Sequence, residues 1–161
     1  MHKYFNPGIV HKFIDKSLLP LSVFTVIFLA SGLYFALLAS PADYQQGEFV
    51  RIMYVHVPAA WMALGIYIFI SCASAAALIW RNPLSITMAT SAAPIGAAFT
   101  LMCLISGSIW GKPVWGAWWV WDARLTSMLI LFFFYIGYMA LYDSYDNKER
   151  AGKVAAIFAL I

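Results

Sequence analysis

The sequence predicts an all-α polytopic membrane protein, with four complete transmembrane helices and the start of a fifth, on three observations. Of its 161 residues, 63% are apolar and only 11% are charged, against about one-quarter charged in soluble domains. The apolar residues fall in runs of the roughly 20 residues that a helix needs to cross a bilayer. The Lys and Arg residues collect in alternate loops, as they do beside membrane spans.

The whole of 1–161 reads as a single membrane domain. Its first span is expected at about 17–39, with Pro20 tolerable in the first helical turn. Lys3, Lys12 and Lys16 precede this run as they would a signal peptide. Its length and the lack of a clear small-residue cleavage site instead make it a retained helix. Further spans are expected at about 57–80, 86–109 and 125–142. A fifth apolar run, 153–161, is too short to cross by itself, and more chain is expected after it.

Seven of the ten Lys and Arg residues lie in the N-terminal segment, the 81–85 turn and the 143–153 loop. Three lie in the 40–54 and 110–124 loops. Positive residues favour the cytoplasm, so the N-terminus is expected inside and 110–124 outside. No basic stripe suggests nucleic acid. Counted along their helices, Cys72 and Cys103 differ in depth by about 13 Å at 1.5 Å per residue, too far for a disulfide. Core packing is the expected role of both.

Two outer stretches carry the candidate chemistry. In QGEFVRIMYVHVPAAW, Phe49, Ile52, Met53 and His56 follow the spacing of one helix face. A short surface helix is expected there, broken at Val57 by Pro58, with His56 on the outer lip of the second span. Most histidines at such a depth are only polar interfacial residues. His2 and His11 lie in the polar N-terminal tail, which leaves His56 as the candidate ligand.

The second stretch is WGKPVWGAWWVWDARLTS. It holds Trp110, Trp115, Trp118, Trp119 and Trp121, five of the chain's seven tryptophans. A belt of interfacial indoles would explain two or three of them. If 115–124 is helical, Trp115, Trp118, Trp119 and Asp122 share one face. Gly111 and Gly116 would then allow a backbone turn or the close approach of a ligand.

Asp122 is costly in lipid, by about 2.5–3.5 kcal/mol on insertion scales. It therefore needs the headgroup zone, a partner or a ligand, and Arg124, two residues on, is expected to point elsewhere. Lys112 and Arg124 suit either ligand carboxylates or lipid phosphates. Haem, a flat ring with carboxylate edges and an iron that takes histidine, fits an indole platform beside His56.

WGKPVWGAWWVWDARLTS closely resembles the tryptophan-rich WWD signature of haem-handling membrane proteins. Together with YVHVPAAWMA around His56, it resembles the CcmC family of haem exporter proteins, over nearly the whole chain. The resemblance implies a six-span inner-membrane protein, not an enzyme, that presents haem b as cargo at its periplasmic face. Its implied partners are the CcmA/CcmB ABC transporter, CcmD and the haem chaperone CcmE, within c-type cytochrome biogenesis. Carried over by position, His56 is an axial haem ligand. Trp110, Gly111, Trp115, Gly116, Trp118, Trp119, Trp121 and Asp122 match the signature loop, with Arg124 beside them. The family's second axial histidine follows a fifth span. The competing readings are a b-type electron-transfer subunit, or a small tryptophan-rich porphyrin-binding transporter.

Overall fold

The computed structural model describes residues 7–161, so His2 and Lys3 lie outside the described residues. The chain divides into two units, one ending at Ala42 and the other running from Asp43 to Ile161. Among the described residues, four helices are long and apolar enough to cross a membrane. Among the described residues there is no strand.

The first unit holds α1, Pro7–Tyr34, which widens into a π-helical turn at Phe35–Ala39. Pro7 opens the helix, where its missing N–H costs nothing. The polar His11, Lys12, Asp15 and Lys16 are thus already helical, and Pro20 falls in the interior rather than in the first turn. Its ring removes the bond that the Lys16 carbonyl would have accepted. The hydroxyls of Thr25 and Ser31 donate to the carbonyls of Leu21 and Ile27, each at 2.8 Å. Those bonds keep both hydroxyls satisfied in an apolar surround.

The second unit contains α2 (Val50–Trp80), α3 (Pro83–Trp115), α4 (Ala123–Asp143) and α5 (Lys148–Phe158). The α2–α3 turn is written in Arg81, Asn82 and Pro83. Arg81 ends α2 in the left-handed conformation (φ 50°, ψ 41°). The Asn82 side chain then accepts from the Leu84 N–H at 3.0 Å, and Pro83 begins α3, an N-cap followed by an N1 proline.

The core is a seam of small side chains. Ala59, Ala63, Ala73 and Ala77 of α2 are buried, as are Ala89, Ala93 and Ala97 of α3. Helices in lipid associate by close packing because apolar burial alone gives no drive there. Over this seam α4 lays Tyr135, whose hydroxyl donates to the Ala63 carbonyl at 2.7 Å. A Cβ on Gly96 would overlap the Tyr135 ring. The helix α5 is capped by Asn147, which accepts from the N–H groups of Glu149 and Arg150 at 3.0 Å each. It buries Ala151, Gly152, Ala155 and Ala156, and at 11 residues it is shorter than a span.

Cys103 is buried, but Cys72 is exposed on α2, which corrects the expectation that both pack in a core. The α2–α3 seam is made by the alanine face of α2, and Cys72 lies off that face.

Candidate functional site at the tryptophan end

A compact turn leads into α2. The Asp43 carboxylate accepts from the N–H groups of Gln45 and Gln46 at 2.9 and 2.8 Å. The backbones of Asp43 and Gly47 pair with each other, with Gly47 at φ 59°. That turn aims Gln46 at α3, where its side-chain oxygen accepts from the Trp110 indole N–H at 2.9 Å.

The helix then runs from Val50 to Trp80 without a break. This corrects the expected separate surface helix. Pro58 lies inside α2 and interrupts one backbone bond rather than ending the helix, as proline is tolerated in membrane helices where neighbours re-satisfy the backbone. Ile52, Met53 and His56 are half-buried along it, whereas Phe49 stays exposed at its cap.

His56 packs on the α3 face that carries Cys103, Ser106, Gly107 and Trp110, one stripe by helical spacing. Its Nδ1 lies 3.1 Å from the Cys103 carbonyl oxygen and 3.1 Å from Ser106 Oγ. The Ser106 hydroxyl donates back to the Met102 carbonyl at 2.7 Å, so its lone pairs are turned to the ring. A carbonyl only accepts, hence Nδ1 carries the proton and Nε2 keeps its lone pair. Gly107 gives the ring its place, since a Cβ there would stand 2.9 Å from His56 Cε1.

The tryptophan stretch differs from the single helical face expected. The helix α3 continues through Trp110 and Gly111 as far as Trp115, despite Pro113. Gly116 then turns left-handed (φ 76°) and donates to the Lys112 carbonyl at 3.0 Å. The left-handed glycine stops the helix, so 116–122 is irregular and Trp115, Trp118, Trp119 and Asp122 do not form one helix face. Gly111 lets this irregular chain cross close above α3, for a Cβ there would meet the Ala117 carbonyl oxygen at 3.3 Å.

Two contacts fasten the crossing chain. Ser108 Oγ donates to the Trp118 carbonyl at 2.7 Å, and Lys112 Nζ to the Gly116 carbonyl at 3.1 Å.

The indoles form two edge-to-face corners rather than one platform. Trp110 meets Trp115 with centroids 5.1 Å apart, and Trp119 meets Trp121 at 5.4 Å. Trp118 and Trp121 are exposed. Trp119 and Trp121 wall an apolar groove of about 520 Å³ with Leu104, Ile105, Ser108, Ile109 and Leu129. Those α3 residues flank and oppose the stripe that meets His56. The structure therefore joins His56 with the Trp110 side of α3, and sets Trp119 and Trp121 on another side.

Asp122 finds its partner within the chain. Its Oδ1 accepts from the Leu125 N–H at 2.9 Å as the N-cap of α4, and its Oδ2 accepts from Arg124 Nη2 at 2.7 Å. This corrects the expectation that Arg124 points elsewhere. Asp122 lies outside the helix, with extended backbone (φ −103°, ψ 170°), so the 100° step of a helix does not separate the two side chains. The Leu125 N–H first, and then the Arg124 guanidinium, hold this carboxyl below its usual range. Arg124 also lies over the Trp115 ring, 5.2 Å from its centroid, and so ties the start of α4 to the end of α3.

Cys103, Ser106, Gly107 and Gln46 escape a reading of the sequence alone. Only the run SGS at 106–108, small residues inside a bulky helix, marks a place where something packs closely.

Fold and site together define a multi-pass helical membrane protein with an anchored histidine and an indole-rich face at the same end. The family model described as "Heme exporter protein C" matches residues 1–161. A "Heme exporter protein C" of Bradyrhizobium diazoefficiens is 52% identical over 141 residues, covering 88% of this chain and 53% of that protein. Its counterpart in Haemophilus influenzae is 44% identical over 161 residues, 99% of this chain and 65% of that one. The Escherichia coli K12 protein is 46% identical over 141 residues, 88% and 58%. The chain belongs to the Heme exporter protein C family, CcmC. It spans between about half and two-thirds of the length of these relatives.

Proposed function

We propose that this protein binds haem at the periplasmic face of the inner membrane and presents it for transfer to the chaperone CcmE. In this reading it works beside the CcmA/CcmB ABC transporter and CcmD, and turns over no chemistry of its own. The observation that carries it is the anchored His56. With Nδ1–H held by the Cys103 carbonyl and Ser106, the Nε2 lone pair is the one free for iron, the arrangement that fixes a metal-binding imidazole.

Haem b is cargo here. The exposed faces of Trp118 and Trp121 offer apolar cover to a flat ring at the same end of the helices. Lys112 and the outward part of Arg124 offer cations to its carboxylates. The orientation is supported by the collection of Lys and Arg in the loops at the other end.

The test is His56→Ala in the whole protein, expressed with its partners. Membrane insertion is expected to be unchanged, haem content to fall, and haem transfer to CcmE to stop. Normal loading and transfer would end the assignment of His56.

A further inference from the structure

The end of the helices opposite the tryptophan-rich segment carries a cavity that the haem reading does not use. It has a volume of about 480 Å³ and lies where α2 turns into α3 and α5 begins. Its walls are mixed in a telling way. Ala77, Leu78, Pro83, Ile86 and Ala156 make an apolar side. Arg81, Lys148 and Lys153 bring three cations, against the single carboxylate of Glu149.

That carboxylate is already spent. Lys153 Nζ donates to Glu149 Oε1 at 2.6 Å, and the same lysine holds the Glu149 carboxyl below its usual range. Lys148 sits over the Tyr142 ring, 5.0 Å from its centroid, a contact that leaves its charge uncancelled. Arg81 has no ion pair among the described residues. The cavity therefore holds two uncompensated positive charges beside an apolar wall.

A second observation concerns Arg81 itself. It is the one non-glycine residue with positive φ among the described residues. An L side chain disfavours this conformation, and glycine is the usual residue where a helix ends in it. The chain here keeps a guanidinium at a strained position, and strain of this kind collects at binding sites.

We infer that this cavity binds a phosphoryl anion attached to an apolar body, with the head group of an acidic phospholipid as its source. Arg81 makes the bidentate contact that suits a planar guanidinium and a phosphate. Lys148 adds charge, and acyl chains lie along Leu78 and Ile86. Basic pockets between helices at the cytoplasmic surface take such head groups. The inference does not depend on haem.

The experiment uses the purified protein in nanodiscs of phosphatidylcholine alone, or with one-fifth phosphatidylglycerol, read by native mass spectrometry after release. Phosphatidylglycerol is expected to stay bound to the wild type, with several-fold less on Arg81→Gln. Arg81→Gly removes the guanidinium and relieves the backbone strain. It is expected to lose the lipid while matching or exceeding the wild-type Tm in phosphatidylcholine, which separates binding from folding. A parallel arm adds inorganic phosphate to phosphatidylcholine discs. Phosphate that raises the Tm of the wild type but not of Arg81→Gly, without phosphatidylglycerol retention, would keep the phosphoryl site and change its source. Equal lipid retention by all three proteins, or no retention and no phosphate effect, would overturn the site.

Discussion

The imidazole of His56 is held across the interface between α2 and α3 by the backbone carbonyl of Cys103, 3.1 Å from Nδ1. A backbone acceptor cannot rotate away as a side chain does. The ring's tautomer and tilt are therefore set by how the two helices pack, before any ligand arrives.

Ser106 supplies the second acceptor at Nδ1. Ser106→Ala is expected to leave haem bound, because the carbonyl remains, but to weaken retention by up to about tenfold. A less strongly held Nδ1–H makes Nε2 a poorer donor, so the haem midpoint potential should rise. Ser106→Thr is expected to restore both. Potentiometry of the haem-loaded protein checks this, and unchanged values in Ser106→Ala would remove Ser106 from the anchor.

The indoles of the crossing segment make a different claim. Trp118→Ala with Trp119→Ala is expected to cut haem retention while leaving the protein in the membrane. If they serve only as interfacial anchors, haem content per protein would stay level while extraction by mild detergent became easier.

Asp122 gives a pH signature. Its carboxyl lies below its usual range when folded, so its stabilisation is complete above the unfolded value of about 4. It is lost as pH falls through the lower folded value. Asp122→Asn keeps an acceptor for the Leu125 N–H but loses the charge facing Arg124. Asp122→Ala loses both. The expected order of Tm at pH 7 is wild type, then Asn, then Ala. The gap between wild type and Asn is expected to close as the medium is acidified below about pH 4.

Two glycines separate space from propensity. At Gly96 a Cβ would overlap the Tyr135 ring, whereas at Gly65 nothing lies within 4 Å. Gly96→Ala is expected to destabilise by about 1–3 kcal/mol through overpacking. Gly65→Ala is expected to be neutral or to stabilise by about 0.5–1 kcal/mol. Reversible unfolding in mixed micelles measures both. A neutral Gly96→Ala would mean that Tyr135 does not seat where α3 narrows.

Much of this was legible in the residues. Apolar runs placed four spans, because length and hydropathy are local properties. Helix ends were less legible. The expected span ended at 109, yet α3 continues to Trp115, since an aromatic or a lysine extends a helix as readily as it sits in a loop. The left-handed Gly116 was the real stop. Asp122 with Arg124 was missed because an irregular backbone brings together side chains that a helix would separate. His56 stood out by its place at the lip of a span. Its fastening to Cys103 and Ser106 lies 47 and 50 residues away in sequence, and only the pairing of two helices brings it into view.

Ser108 and Lys112 both reach from α3 to carbonyls of the crossing segment, those of Trp118 and Gly116. A peptide chain of irregular shape normally needs water to satisfy such oxygens. Here the helix beneath supplies that service at two points, so the segment is less dependent on a wet surface. Two hydrogen bonds thus rivet it, like a visor, to the helix under it.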